Sequence, residues 1–205
     1  MSLECNIVKQ SYEKGACSVT MEGSRKLPAC QAILKFKNGM HYRLIKSMHL
    51  SRPEDYFSIF QSGCNHNCQK CHSHEFIKIF NGKWYSVEEI ANYGKQYEKI
   101  VTLKEPRKRA LMYYALDWCK HCGSCVLYGK PGPYCPEKLS KEQIVPSPQG
   151  FGPARNIIAF AGGDIACKAE FYAKATIKIK EKCNNLWVLL ETNGYGLTTK
   201  NLDIL

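Results

Sequence analysis

The segment Asn156-Ile-Ile-Ala-Phe-Ala-Gly-Gly-Asp164 decides the fold, because an unbroken apolar run leads directly into two glycines. A short apolar run that ends in glycine is typical of a strand buried on both faces, as in parallel sheets. Residues 168–182, which follow, have apolar side chains at helical spacing. A further apolar run at 186–190 comes next, so the sequence predicts a strand–helix–strand unit.

The same alternation occurs earlier in the chain. Tyr56–Phe60 predicts a buried strand, and Ser86 with Glu89 three residues later forms a capping box at the start of a helix. Residues 1–50 are expected to be rich in β-structure, with a hairpin turn at Asn38-Gly39. Strands that alternate with helices predict a parallel sheet.

We therefore expect an α/β fold in which a parallel sheet, either open or closed into a partial (βα) TIM-like barrel, carries two additions. The predicted parts are a β-rich N-terminal extension at 1–50, the first part of the barrel at 51–103, an inserted cysteine-bearing module at 104–153, and the second part of the barrel at 154–205. Three parallel strands with open edges make a poor domain, so the barrel is expected to be incomplete and the chain truncated after the third strand.

Twelve of the 205 residues are cysteine, which is a high share for a chain with ordinary charged and apolar content. No apolar run reaches the roughly 20 residues that span a bilayer, and the first residues do not resemble a signal peptide. We therefore expect a cytoplasmic protein without a membrane partner. Thiols stay reduced in the cytoplasm, so clustered cysteines indicate metal ligands rather than disulfides.

The first cluster is Cys64, Cys68 and Cys71, which follow the first predicted strand with the spacing C-x3-C-x2-C. Three thiolates from one loop can bind three irons of a 4Fe–4S cluster and leave the fourth iron open, as catalysis requires. The alternative is a zinc site in which His72 or His74 is the fourth ligand.

The second cluster has the spacing C-x2-C-x2-C, followed by a further Cys-Pro pair. It comprises Cys119, Cys122, Cys125 and Cys135. This is the pattern of a bacterial ferredoxin 4Fe–4S site, except that nine residues precede the last cysteine instead of three. Cys135 is therefore the least secure ligand, and His121 or Cys167 is an alternative to it. A zinc ribbon is the alternative to the whole module.

The C-x3-C-x2-C loop is the signature of the radical S-adenosylmethionine (SAM) superfamily, and two later segments strengthen the resemblance. Gly162-Gly163-Asp164 resembles the Gly-Gly-Glu motif, and Glu191-Thr192-Asn193-Gly194 resembles the Asp-Thr-Asn-Gly segment of glycyl-radical-enzyme activating enzymes, the pyruvate formate-lyase activating enzyme group. The chain departs from that pattern at Lys70, Asp164 and Ile165. The segment 186–204 and the Lys, Ile and Asn usage also resemble archaeal proteins of this kind, especially those of methanogens.

The resemblance implies a radical SAM barrel and a SAM molecule on the open iron, cleaved reductively to a 5′-deoxyadenosyl radical. It implies an oxidoreductase of the activating-enzyme type, in an anaerobe, that activates or modifies a partner protein. The implied SAM-binding residues are Gly162, Gly163, Asp164, Glu191, Thr192 and Asn193. The implied cofactors are SAM and two 4Fe–4S clusters, of which the auxiliary one, in a ferredoxin-like insert, relays electrons. No catalytic side chain is identified.

The alternative function is a non-catalytic iron–sulfur subunit that transfers electrons or helps to assemble a larger redox complex. The net charge of +11 favours an acidic partner, either a ferredoxin- or flavodoxin-type electron donor or a protein substrate. Nucleic acid is not an expected partner, because no RNA-binding pattern is present. The remaining cysteines are expected to be buried thiols, with ligation across an interface as the alternative. They are Cys5, Cys17, Cys30, Cys167 and Cys183.

Overall fold

The computed structural model describes residues 5–111 and 116–205, which form a mixed α/β fold rich in strands. The strands are β1 (Ser18–Thr20), β2 (Lys26–Pro28), β3 (Leu34–Lys37), β4 (Met40–Leu50), β5 (Phe57–Gln61), β6 (Lys83–Ser86), β7 (Val145–Ser147), β8 (Gly150–Gly152), β9 (Ile157–Gly162) and β10 (Trp187–Leu190). The helices are α1 (Ala29–Ala32), α2 (His74–Ile77), α3 (Val87–Glu98), α4 (Arg107–Ala110), α5 (Ser124–Tyr128), α6 (Ala169–Lys182) and α7 (Thr199–Leu202).

One six-stranded sheet organises the fold and curls into a half-barrel. Its strand order is β10-β9-β5-β4-β3, and β6 also pairs with β4. The strands β5, β9 and β10 are parallel, with Phe57 opposite Ile158 and Trp187 opposite Ile157. The carboxyl ends of these three strands therefore lie at the same edge of the sheet.

The other half of the sheet is antiparallel and comes from the N-terminal part of the chain. The long strand β4 pairs with β5 through Ile45–Leu50, and with β3 and β6 through its earlier residues. The turn before β4 is the predicted hairpin, in which Asn38 and Gly39 have φ of 51° and 74°. Both angles are positive, as a two-residue hairpin turn of this type requires.

The predicted partial (βα) TIM-like barrel is wrong. Parallel strands with helices between them do occur at β5, β9 and β10, but antiparallel β4 occupies the edge of β5 that a barrel would extend with further parallel strands. Residues 1–50, expected as a separate extension, supply β4 to the same sheet as β5. The strand–helix pattern predicted the local units, whereas the choice of neighbour for β5 depended on a long-range pairing.

Helices α3 and α6 pack against each other and bury the apolar side chains of the sheet. Phe160 of β9 meets Phe171 and Tyr172 of α6 edge-on, with ring centroids 6.1 and 5.5 Å apart. Each such aromatic side chain contributes about 1.5–3 kcal/mol when it is fully buried. The predicted capping box of α3 is confirmed, since Glu89 N donates to Ser86 Oγ and Ser86 N donates to Glu89 Oε2.

The described residues of 104–153 include the short helices α4 and α5 and the β7–β8 ribbon. A buried ion pair attaches this segment to the start of β9, with Arg155 Nη2 2.6 Å from Glu105 Oε1. The sequence also predicts a short helix that starts at Pro106 and carries Leu111, Met112, Ala115 and Leu116. In the structure α4 has four residues, and Met112 and Ala115 lie outside the described residues. Within the described ranges, no helix combines the length and apolar character needed to cross a membrane.

Candidate functional site

The three sequence segments singled out above meet at the carboxyl ends of the parallel strands. The loop that contains Cys64 follows β5, Asp164 follows β9, and Thr192 follows β10. Asn65 N donates to the carbonyl oxygen of Asp164 at 2.8 Å, which fixes the first two loops to each other. This edge of a parallel sheet is where α/β proteins bind their ligands.

Asp164 connects the ends of β9 and β10. Its Oδ1 accepts from Ala166 N at 2.7 Å, and its Oδ2 accepts from Thr192 Oγ1 at 2.6 Å and from Asn193 N at 2.8 Å. The residue is only 3% exposed. A carboxylate offers about four acceptor positions, and three of these are used within the protein. Asp164 therefore orients the segment after β10.

A pair of asparagines lies beside Cys64. Asn193 Oδ1 accepts from Tyr195 N at 2.9 Å, so its Nδ2 points the other way, donating to Asn65 Oδ1 at 2.8 Å and lying 3.7 Å from Cys64 Sγ. The backbone donor Tyr195 N therefore fixes the orientation of the Asn193 amide, and Asn193 in turn fixes that of Asn65. In this orientation Asn65 Nδ2 is buried and has no hydrogen-bond partner among residues 5–111 and 116–205.

Gly163 allows two segments of backbone to approach each other closely. A Cβ added there would collide with Gly63 O and would lie 2.6 Å from Gln61 O. Gly163 N donates to Gln61 O at 2.8 Å. Only glycine allows the loops after β5 and β9 to lie this near to each other.

Arg43 is a buried residue of the site that sequence reasoning missed. Its side chain lies beneath the loops, where Nη2 donates to Gly163 O at 3.0 Å and Nε donates to Gln61 Oε1 at 3.2 Å. Burial lowers the pKa of Arg43 to about 10, and the nearby Asp164 and Cys64 oppose that fall. The side chain therefore remains cationic at neutral pH. The only signal in the sequence was an arginine next to the apolar Leu44 and Ile45 of β4.

The cysteine loop is only partly enclosed. Cys64 is buried, Cys71 is half-buried and Cys68 is exposed. Burial raises the pKa of the Cys64 thiol, and a bound metal would replace its proton. His74, an alternative zinc ligand, directs Nδ1 to Cys71 O at 3.2 Å.

Throughout the described ranges, no three Cys, His, Asp or Glu side chains come together closely enough to hold one metal ion. A zinc ion needs its ligands about 2.0–2.3 Å away. An iron–sulfur cluster instead spreads its thiolates over several irons.

The second cysteine group surrounds one small cavity of about 20 Å³, which Leu139 and Ile144 also line. Its cysteines are Cys119, Cys122, Cys125 and Cys135. His121 N donates to Cys119 Sγ at 3.2 Å, a backbone contact of the kind that tunes cluster sulfurs. The His121 ring instead bonds Phe151 O at 2.8 Å, and Cys167 lines a different cavity. The structure thus groups Cys135, rather than His121 or Cys167, with the other three cysteines.

Glu191 is separated from the other implied SAM-binding residues. Its Oε1 accepts from the Tyr56 hydroxyl at 2.7 Å, and burial raises the pKa of its carboxyl group. Thr192 and Asn193, the next two residues, turn toward Asp164 instead.

Comparisons of the chain with protein-family models, with curated proteins and with solved structures find no match. The residues and their geometry are therefore the basis on which a function can be argued.

Proposed function

We propose that this protein is a radical SAM iron–sulfur enzyme that activates or modifies a partner protein in the cytoplasm of an anaerobe. The observation that carries the proposal is the convergence of the Cys64 loop, Gly162–Asp164 and Thr192–Asn193 at one sheet edge, linked by hydrogen bonds. The proposal depends on this site and its donor groups, not on a barrel fold.

Cys64, Cys68 and Cys71 would hold the SAM-binding cluster in this proposal. When bound, cluster and SAM together supply one-electron cleavage of the sulfonium to a 5′-deoxyadenosyl radical. Near Cys64 the protein supplies a hydrogen-bond donor, because Asn193 Nδ2 lies 3.7 Å from Cys64 Sγ and donates to it. Donors to cluster sulfurs and thiolates stabilise the reduced, more negative state.

Asp164 acts in this proposal as a positioning residue rather than as the direct partner of the SAM ammonium group. Its three internal hydrogen bonds hold Thr192 and Asn193 at the strand ends, where a ligand on the Cys64 loop would meet them. The glycines at 162 and 163 keep the neighbouring backbone close. The shorter side chain of Asp, compared with the Glu of the resembled motif, suits this role within the protein.

The auxiliary cluster would be held by the four cysteines of the second cavity, which at about 20 Å³ would have to widen to admit it, and would relay electrons. Large apolar side chains near these cysteines are solvent-exposed, with Leu127 71%, Tyr128 73% and Tyr134 87% exposed. Exposed aromatic side chains of this kind are frequent at protein interfaces. Together with the net charge of +11, they support docking of an acidic electron donor or partner protein at this module.

A non-catalytic electron-transfer or assembly subunit is the second candidate. The observation that favours it is the engagement of the Asp164 carboxylate within the protein, which leaves little capacity to bind SAM. Both candidates require iron–sulfur clusters, so they differ only in their response to SAM.

The decisive experiment uses anaerobically reconstituted protein, reduced with dithionite, with and without SAM. We expect SAM to change the EPR signal of the reduced cluster and 5′-deoxyadenosine to form, and the Cys68→Ser variant to lose both effects. Cys183→Ser is the matched control, because Cys183 is a buried thiol outside the cysteine cavities.

Unchanged EPR spectra and no 5′-deoxyadenosine would favour the electron-transfer candidate. Stoichiometric zinc without iron would contradict both candidates. A separate variant, Cys135→Ser, tests the auxiliary site and should lower the iron content by about four per chain if Cys135 is the fourth ligand.

A further inference from the structure

Four cysteines that belong to neither sequence motif line a single cavity. They are Cys5, Cys17, Cys30 and Cys167. The cavity has a volume of about 180 Å³, and Asn65, the residue after Cys64, also lines it. Three of the four cysteines come from the first 30 residues and the fourth follows β9, so only the folded chain brings them together.

Backbone and side-chain hydrogen bonds bring these cysteines to the cavity. Ala29 N donates to Cys17 O at 2.6 Å, which places Cys30 beside Cys17. Asn6 Nδ2 donates to Cys167 O at 3.2 Å, which holds the segment of Cys5 against the loop after β9. The positions of the four thiols are thus fixed by contacts that do not involve the sulfur atoms.

Asn65 provides a second, independent observation. Its side chain is 4% exposed, and its Nδ2 lacks a hydrogen-bond partner in the described parts of the chain. An unpaired buried amide donor costs about 1–3 kcal/mol, so such a group calls for a ligand. A sulfur-rich anionic group in the cavity would accept this hydrogen bond.

The charges around the cavity also suit an anion. Lys14 lines it, and Lys168 Nζ donates to Asn6 Oδ1, next to Cys5, at 3.3 Å. Cationic side chains stabilise the negative charge of a cluster held by four thiolates.

The size of the cavity distinguishes between metal groups. Four thiolates around one zinc ion would lie about 3.8 Å apart, from a Zn–S length of about 2.3 Å, and would leave no space between them. The described residues contain no set of ligands close enough for a single ion. A volume of about 180 Å³ equals that of about six liquid water molecules, which suits a polyatomic group.

We propose that Cys5, Cys17, Cys30 and Cys167 bind a further 4Fe–4S cluster, to which Asn65 Nδ2 donates a hydrogen bond. The expectation that these four are plain buried thiols is replaced by this proposal, while Cys183 stays outside the cavity. A preassembled cluster with four terminal thiolate ligands binds by ligand exchange: each cysteine sulfur replaces one thiolate on iron, the departing thiolate takes up the cysteine proton, and no oxidation state changes. The inference does not rest on the proposed function, because it is the same whether or not the Cys64 loop binds SAM.

The experiment counts iron and acid-labile sulfide per chain after anaerobic reconstitution with ferric iron, sulfide and excess dithiothreitol, which supplies the electrons that reduce half of the iron. The Cys5→Ser/Cys30→Ser double variant is compared with the Cys183→Ser control. We expect the double variant to hold about four fewer irons and four fewer sulfides than the control, and to lose one spin from the reduced EPR signal. Wild-type protein should approach about twelve irons if both clusters of the proposed function are also bound, and the difference of four from the double variant is expected in either case.

Circular dichroism checks that each variant is folded. If the double variant fails to fold, Cys17→Ser, at a half-buried position, takes its place with the same expected loss. Equal iron and sulfide in variant and control would overturn the proposal. So would zinc that is present in the control and absent from the variant.

Discussion

The strand-end region around Asp164 and the loops that carry the motif cysteines lie in the same molecule but are built differently. Around Asp164, each carboxylate oxygen accepts a hydrogen bond, and Thr192 and Asn193 are both held by it. In the loops, Cys68 and Cys122 are exposed, and backbone hydrogen bonds are sparse outside the single turn of α5.

This difference indicates that the protein alone organises the first region, whereas in the proposed function bound clusters would complete the second. Metal binding to such loops is coupled to their ordering, because the thiolates gain their neighbours only when the metal is present. The predictions below test this contrast, starting with the largest effect.

The largest effect is expected for Asp164→Ala. The substitution leaves three donors without an acceptor, those of Ala166, Thr192 and Asn193, at a nearly fully buried position. The free energy of unfolding should fall by roughly 3 kcal/mol or more, since each buried unpaired donor costs about 1–3 kcal/mol. Urea denaturation of the cluster-free protein under reducing conditions measures this change.

Asp203→Asn is the matched control, because Asp203 is an exposed carboxylate that follows α7. Its effect on the free energy of unfolding should stay within about 0.5 kcal/mol. If Asp164→Ala had as small an effect, the strand-end region would not be organised by Asp164.

Cluster loading should have an intermediate effect, confined to the loops. When the clusters are bound, hydrogen exchange at the amides of 119–125 should slow at least tenfold. This corresponds to a rise of about 1.4 kcal/mol in the free energy of local opening. Amides of Ile157–Gly162 in β9 should exchange at the same rate before and after loading, because their hydrogen bonds already exist. Mass spectrometry of exchanged peptides provides the measurement.

Cys122→Ser, which removes an exposed ligand candidate, should abolish the slowing at 119–125. Slower exchange in β9 upon loading would show instead that the sheet also depends on the clusters. That result would contradict the contrast between the two regions.

The smallest effect concerns Glu191 and Tyr56. Burial raises the pKa of Glu191 above its value in the unfolded chain, so the folded protein binds this proton more tightly. Stability from this group is therefore present at low pH and is lost as pH rises through the window between the unfolded and folded pKa values. Tyr56→Phe removes the hydroxyl that donates to the carboxylate, which should raise the pKa of Glu191 further.

The Tyr56→Phe substitution should also reduce the free energy of unfolding at neutral pH by about 1 kcal/mol. Carbon NMR of the Glu191 carboxyl group across the titration measures its pKa directly. A lower pKa in the variant would mean that Tyr56 does not stabilise the carboxylate.

Local signals in the sequence predicted local structure well. The Asn38-Gly39 turn and the Ser86–Glu89 capping box form as predicted, because both depend on residues within a few positions of each other. Apolar runs likewise marked β5, β9 and β10, and glycine and polar residues marked their carboxyl ends. The meeting of three motif segments at one edge follows from the parallel order of those strands.

Long-range pairings could not be predicted in the same way. Nothing near β5 indicates that antiparallel β4 would occupy its edge, and this pairing is the reason that the barrel prediction fails. Arg43 enters the site through that same pairing, since it belongs to β4. Cys5 and Cys167 are 162 positions apart in the chain, so only tertiary structure places them in one cavity.

The close backbone approaches at Gly163 and Gly196 have a consequence for mutational tolerance. A side chain at Gly163 would strike Gly63 O, and one at Gly196 would strike the backbone nitrogen of Cys167. In a saturation mutagenesis screen, these two positions should therefore accept as few residues as the cysteines themselves, although neither glycine carries a reactive group. Glycine is required at both positions because the loops lie so close together there. Glycines at the corresponding positions should therefore help to recognise distant homologues by sequence.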